Sequence, residues 1–305
     1  MMKRVFRAKP FLKWAGGKTQ LILEIEKSLP RDILSGKFTY IEPFAGSGAV
    51  LFWMLDNFPN MQKAVINDIN SDLINVYKII ASNPKELISI LKDFQNQYND
   101  LQNKEEEKKV YFYQKRNLYN TRETDKITQA ALFIFLNRTC FNGLYRVNKN
   151  NFFNVPIGSY KLPTICDERN ILAVSEALKN VEILNGDFEQ TLPYAKENSF
   201  FYLDPPYKPL SATSSFNSYA QGEFDDNEQI RLRDFCRKLS SSKSKWMLSN
   251  SDIQDNNFFD VIYGEFEKSK VKAKRIINSK PDKRGELNEL LITNYKIQKQ
   301  SKAYA

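Results

Sequence analysis

The stretch Phe201-Tyr202-Leu203-Asp204-Pro205-Pro206-Tyr207 puts a carboxylate, two prolines and an aromatic ring at the end of an apolar run with strand character. The prolines supply no backbone donors and stiffen the turn, so the Asp204 carboxylate and the Pro205 carbonyl can face one ligand as paired acceptors. An exocyclic amine has two N–H donors to offer such a pair. Accepting both would localise the nitrogen lone pair, while the Tyr207 ring stacks on the face of a planar base. A chance loop of this composition would be unremarkable; at the end of a buried strand, beside the motifs below, it points to chemistry on an amine.

Glu42-Pro43-Phe44-Ala45-Gly46-Ser47-Gly48 also follows a short strand and precedes a helical pattern, where glycine lets the backbone approach a nucleotide-like ligand. A dinucleotide fingerprint needs a third glycine at position 51, which is Leu51, so nicotinamide binding is disfavoured. A plain strand-to-helix turn remains the alternative. Asp68 lies 20 residues after Gly48 at the end of a second strand, where a carboxylate can accept from ribose hydroxyls of an adenosine-containing cofactor, or else cap the helix that begins at Ser71. Gly17-Lys18-Thr19 invites a P-loop reading, but position 12 is Leu12 rather than glycine and no strand precedes it.

The chain has 305 residues and no histidine, which excludes Ser-His-Asp triads, His-based zinc sites and imidazole bases together. Cys140, Cys166 and Cys236 are too scattered for a zinc site or a disulfide framework. Lys and Arg number 45 against 36 Asp and Glu, a formal charge of +9 that favours a polyanionic partner. Part of that excess lies at Lys268, Lys270, Lys272, Lys274, Arg275, Lys280, Lys283 and Arg284, opposed within the span only by Asp282; it reads as a phosphate-tracking segment or a solvated hairpin. The longest apolar run, Ala130 to Leu136, is far too short to span a membrane, and no signal peptide is visible, so a cytoplasmic location is expected.

The elements that must hold these groups read as strands at Tyr40–Glu42, Ala64–Ile66, Val181–Leu184, Phe200–Leu203, Trp246–Ser249 and Leu290–Tyr295, a mostly parallel sheet covered by helices. Between Ser71 and Phe141 the spacing turns helical, over Pro84–Tyr98, Glu106–Tyr119 and Lys126–Phe141, and Leu144–Val147 with Phe152–Val155 suggests a β-hairpin.

Together, from Phe11 to about Tyr295, these stretches resemble the Dam family of adenine-N6 DNA methyltransferases, α-group amino methyltransferases that read GATC. The resemblance implies an α/β fold: a Rossmann-like methyltransferase sheet formed by residues 1–70 and 165–300, with an inserted helical and β-hairpin target-recognition domain at 71–164. It implies S-adenosyl-L-methionine as cofactor, bound by Phe11, Trp14, Gly16, Gly17, Lys18, Glu42, Phe44, Gly46, Gly48, Asp68, Asp187, Phe188 and Asp204. Asp204, Pro205, Pro206 and Tyr207 match the catalytic positions, and Lys13, Asn142, Leu144, Arg146, Pro156 and Tyr160 the DNA-reading ones. Among these, Arg146 would take a guanine edge and Leu144 and Pro156 would touch thymine methyls. Double-stranded DNA is then the partner, without metal or membrane, as a monomer or a dimer, acting alone or opposite a restriction endonuclease. Cytosine N4, an RNA adenine or a protein glutamine are alternative substrates, and a non-catalytic DNA-binding protein is the alternative outside the enzyme class.

Overall fold

The computed structural model describes residues 7–14, 18, 21–208, 224–252, 257–274 and 286–297. Gly16, Gly17, Arg275, Lys280, Asp282, Lys283 and Arg284 lie outside the described residues.

Seven strands form one sheet: β1 (Phe38–Glu42), β2 (Met61–Ile66), β3 (Val181–Ile183), β4 (Ser199–Leu203), β5 (Lys245–Ser251), β6 (Glu267–Lys274) and β7 (Glu286–Thr293). Their order is β3-β2-β1-β4-β5-β7-β6. The first five are parallel, and β7 runs antiparallel to both β5 and β6. From β1 the chain builds outward to β3 and then returns to the other side of β1 with β4. The connections after β1 and β4 therefore leave in opposite directions and open a crevice at their carboxyl ends. Glu42–Gly48 and Asp204–Tyr207 are those two connections.

β1 and β4 read as continuous apolar runs because both of their faces are covered. Tyr40, Phe200 and Tyr202 face a core shared with Leu73, Tyr77 and Phe135, whereas Ile41, Phe201 and Leu203 face one shared with Phe235 and Trp246. The alternation is the period of two that a pleated strand imposes.

The last two strands differ from their sequence outline. β7 starts at Glu286, earlier than Leu290, and the basic run 268–274 is an edge strand paired antiparallel with it, as the hairpin alternative expected. Its alternating lysines flank Ser269, Val271 and Ala273, a pattern that protects an open edge from further pairing. Two of those lysines meet acidic partners from outside the run: Lys270 Nζ lies 3.0 Å from Asp252 and Lys268 Nζ 3.4 Å from Asp260.

Four long helices follow β2: Ser71–Ser82, Pro84–Asn99, Glu105–Thr121 and Lys126–Thr139. The last is apolar all round, with Ala130 to Leu136 all buried, as a helix at the centre of a helical layer must be. Asp125 caps it, accepting from the Ile127 and Thr128 amides. The hairpin beyond is minimal, with bridges Val147↔Phe153 and Cys140↔Ile157.

Gly48 enters the helix Ala49–Asn57 with φ +74°, and a Cβ there would meet the Tyr77 hydroxyl at 2.6 Å and Phe52 at 2.9 Å. Gly48→Ala should therefore destabilise the fold by on the order of 2 kcal/mol, through left-handed strain plus the clash. A thermal midpoint equal to wild type would contradict that packing.

Candidate active site

At the carboxyl end of β4, Asp204 Oδ1 accepts from the Ser249 hydroxyl at 2.9 Å and lies 3.1 Å from Lys18 Nζ. No described residue bonds Oδ2, and none donates to the Pro205 carbonyl. The turn beyond is held from below: buried Gln229 donates to the Pro206 carbonyl at 3.2 Å and accepts from Asn250, while the Ser251 hydroxyl donates to the Lys208 carbonyl at 2.8 Å. Among the described residues two acceptors are thus left unused, at a turn whose Pro206 and Lys208 carbonyls are tied down.

Burial pushes the Asp204 carboxyl above its ordinary range, with the Lys18 ammonium and the Ser249 hydroxyl opposing the rise. Lys18 is itself buried, 3.7 Å from Glu289 and 4.1 Å above the Tyr207 ring centroid. The Tyr207 hydroxyl donates to Glu289 at 2.6 Å. Because the ammonium covers one face of the ring, a planar base can stack only on the other.

Across the crevice, the Gly46 amide donates to Asp68 Oδ2 at 3.0 Å and the Asn70 amide to Oδ1 at 2.9 Å. Each oxygen keeps a lone-pair site for a further donor. Helix capping falls to Asn70, which accepts from the Asp72 and Leu73 amides, so Asp68 is not committed to that role. Asn67 links the loops after β1 and β3, donating to the Pro43 carbonyl at 3.1 Å and the Gly186 carbonyl at 2.9 Å. Gly46 sits at φ +50°, where a Cβ would meet the Trp14 indole at 3.2 Å. Trp14 stacks in turn on Tyr145, with centroids 5.8 Å apart.

Asp187 is already engaged: the Arg231 guanidinium grips it with bonds of 3.0 and 2.7 Å, and the Glu189 amide donates at 2.9 Å. These contacts hold its carboxyl below the ordinary range. The same guanidinium lies 4.3 Å from the centroid of the buried Phe188 ring, which packs on Phe44 at 5.4 Å. Glu42 points into the core, where the Tyr40 hydroxyl donates to it at 2.8 Å and burial raises its pKa well above normal. Phe11 is a core side chain set edge-on to Tyr77, and its carbonyl accepts from Arg138 at 2.7 Å. Phe11 and Glu42 therefore support the loop from behind with their side chains.

An apolar aromatic wall, a carboxylate with spare acceptor capacity, the left-handed Gly46 against an indole and the Asp204 carboxylate form a donor and acceptor set that fits a cationic nucleoside.

The DNA-reading positions are split between two elements that meet at Lys13. Its amide and carbonyl are clipped by Asn137, at 2.9 and 2.8 Å, and Asn137 also donates to the Gly143 carbonyl at 2.9 Å. Lys13 Nζ lies 3.9 Å over the Tyr160 ring. Arg146 is exposed, with Nε donating to Asn154 at 2.7 Å and both Nη groups bonded to no described residue. Asn142, at φ 54°, and Pro156 are exposed, while Leu144 is half-buried.

The D12 class N6 adenine-specific DNA methyltransferase model matches residues 14–277. The chain belongs to that family. It is 50% identical over 291 residues to the type II methyltransferase M.MjaIII of Methanocaldococcus jannaschii, covering 94% of this chain and 99% of that one. It is 39% identical to the type II methyltransferase M1.LlaDCHI of Lactococcus lactis subsp. cremoris, over 97% of this chain and 98% of that one. With the DNA adenine methylase of Haemophilus influenzae it shares 34% identity over 95% of both chains. The chain is an adenine-specific DNA methyltransferase of this class.

Several residues of the methyltransferase site escaped the sequence reading. Ser249, Glu289, Asn67 and Asn137 sit in strands, turns or helices with no local motif, and pairing across the fold is what brings them to the site. Asp72 is another: it accepts from Tyr119 at 2.7 Å, Tyr145 at 3.2 Å and Arg122 at 2.7 Å, tying the first helix after β2 to the hairpin. Among the described residues no cluster suited to a metal ion occurs, and no helix is long and apolar enough to cross a membrane.

A carboxyl with a raised folded-state pKa costs stability as pH rises through that pKa, because the unfolded chain gives up the proton more readily. Asp204→Asn should then raise the thermal midpoint of the ligand-free protein near neutral pH, with the advantage shrinking on acidification. A midpoint below wild type at every pH would mean that the Lys18 and Ser249 contacts outweigh burial.

Proposed function

We propose that this methyltransferase acts on the adenine of GATC in double-stranded DNA, with S-adenosyl-L-methionine as methyl donor and Asp204, Pro205 and Tyr207 receiving the flipped base. The observation that carries the reading is the free pair of acceptors, Asp204 Oδ2 and the Pro205 carbonyl, beside an anchored Oδ1. Pro206 stiffens the turn and lends its carbonyl to Gln229.

Extrusion of the base exposes its N6 amine. The two acceptors take its two hydrogens, orienting the nitrogen lone pair along a single direction, while Tyr207 fixes the plane of the base with its uncovered face. When bound, S-adenosyl-L-methionine supplies an electrophilic methyl group on a cationic sulfur. Positive charge then grows on N6, and the Asp204 carboxylate, held in a fixed orientation by Ser249 and Lys18, stabilises it electrostatically. Asp68 would hold the ribose hydroxyls, and Trp14, Gly46 and Gly48 would shape the loop around the cofactor. Phe44 and Phe188 would supply its apolar wall, with Asp187 reaching its adenine from the Arg231 clamp. Gly16 and Gly17 are assigned to the cofactor by resemblance alone.

Residues 71–164 would serve as the target-recognition part and the remainder as the catalytic part. The exposed Arg146, with both Nη groups unused, favours a bidentate contact to a guanine edge. Lys13, Asn142, Leu144, Pro156 and Tyr160 would complete the reading surface. The type II designation of two relatives favours a modification role opposite a restriction endonuclease of the same specificity.

Incubation with S-adenosyl-L-methionine and duplexes containing or lacking GATC, followed by nucleoside mass spectrometry, should yield N6-methyladenine confined to GATC. Asp204→Ala should abolish it. Methylation at other sites would discard the sequence preference, and near wild-type turnover by Asp204→Ala would discard the mechanism. Arg146→Ala should cost about 10- to 100-fold in kcat/KM on GATC and relax discrimination at one guanine, as loss of a bidentate base contact does. A uniform loss across all sequences would instead mark Arg146 as a phosphate contact.

A further inference from the structure

Glu289 belongs to none of the motifs. It lies on β7, the antiparallel strand, opposite Val271 on β6 and Ser251 on β5, and its side chain is only 19% exposed. Its Oε2 accepts from the Tyr207 hydroxyl at 2.6 Å and lies 3.7 Å from Lys18 Nζ. Lys18 in turn spans to Asp204 at 3.1 Å and covers one face of the Tyr207 ring. Three side chains close a ring of contacts, Lys18 to Glu289, Glu289 to Tyr207 and the Tyr207 ring back under Lys18, and Asp204 joins it through Lys18.

We infer that Glu289 is a positioning residue for methyl transfer, fixing the plane of Tyr207 through its hydroxyl and the seat of Lys18 through its charge. The inference rests on the proposed role of Tyr207 as the stacking platform for the flipped adenine.

A tyrosine ring at the end of a turn can rotate about two bonds, and its ring plane sets where a stacked base lies. Bonds to the Pro206 and Lys208 carbonyls hold the backbone on either side of Tyr207 and leave the ring itself to side-chain contacts. The hydroxyl bond to a carboxylate on a sheet strand is the contact that anchors the far end of the ring, and a charge-assisted bond of this length is of the strong kind. Lys18 would be drawn to Asp204 alone without Glu289, leaving the covered face of Tyr207 open to a base stacking on the wrong side. Glu289 thereby sets both where the base sits and which face of the ring receives it.

A double-mutant cycle separates this role from a general effect on folding. Glu289→Ala and Tyr207→Phe, which removes a single oxygen, should each lower single-turnover kcat by about 10- to 100-fold, the scale of a small misplacement of a reacting group. The double variant should be no slower than the slower single one, because both break the same contact. Glu289→Gln, whose amide oxygen still accepts from the hydroxyl, should recover part of the loss. Affinity for S-adenosyl-L-methionine, measured by calorimetry, should stay within about threefold for Tyr207→Phe, and a duplex with 2-aminopurine at the target position should show altered fluorescence when bound. Wild-type kcat for Glu289→Ala, or additive losses in the double variant, would overturn the inference. Either result alongside an inactive Asp204→Ala would leave the methylation mechanism standing; failure of the wild-type protein to methylate DNA would remove both.

Discussion

A carboxylate at the end of a strand buried on both faces has to find partners, and the catalytic corner of this methyltransferase is arranged around that need at Asp204. Burial alone would drive the group toward its neutral form. Ser249 from β5 and Lys18 from the N-terminal segment oppose that tendency by engaging one oxygen, and the other has no partner among the described residues. Lys18, a buried cation, then needs more than one carboxylate, which brings in Glu289 from the antiparallel strand. Four separate stretches of chain meet because one charge could not be buried alone.

Similar ties, between neutral and charged groups, join the loop after β1 to the hairpin. Asn137 clips the backbone of Lys13 and of Gly143, so the N-terminal segment and the start of the hairpin move as one piece. Trp14 lies between Gly46 and Tyr145, and Tyr145 donates to Asp72, one turn from the Asn70 cap and the Asp68 carboxylate. Arg122 completes the joint, pairing with Asp72 and donating to the Asn151 carbonyl at the hairpin tip. The groups assigned above to base reading and those assigned to the cofactor are therefore connected by short, partly buried bonds, and the proposed mechanism needs such a connection.

Net positive charge contributes less to specific architecture. Many of its lysines are paired with acidic neighbours in exposed bonds that stabilise little, as with Lys109 to Glu106 and Lys179 to Glu176. Their collective field favours a polyanion and accelerates encounter with it, while discrimination among sequences needs groups that can bond base edges.

Local sequence determined what depends on local physics. Apolar runs ending in Gly-x-Gly and Asp-Pro-Pro-Tyr specified two strands and the turns after them, helical spacing specified the layer after β2, and the absence of histidine narrowed the chemistry to carboxylates and a cofactor. Asp68 was legible by its distance from Gly48, although the sequence could not separate a ligand contact from a helix cap; Asn70 took the cap because its side chain reaches two amides of the first turn. The basic run 268–274 left a phosphate-tracking segment and a hairpin both open, because its lysines alternate for solvent and edge protection rather than for burial; pairing with β7 decided for the strand. Tertiary structure alone decided the partners of the buried charges. Ser249, Glu289 and Asp72 carry no motif, and they matter only because strand order and helix packing bring them within bonding distance of residues far away in the chain. A carboxylate's type can be read from sequence; which of its oxygens is left free is fixed by what the fold sets against it.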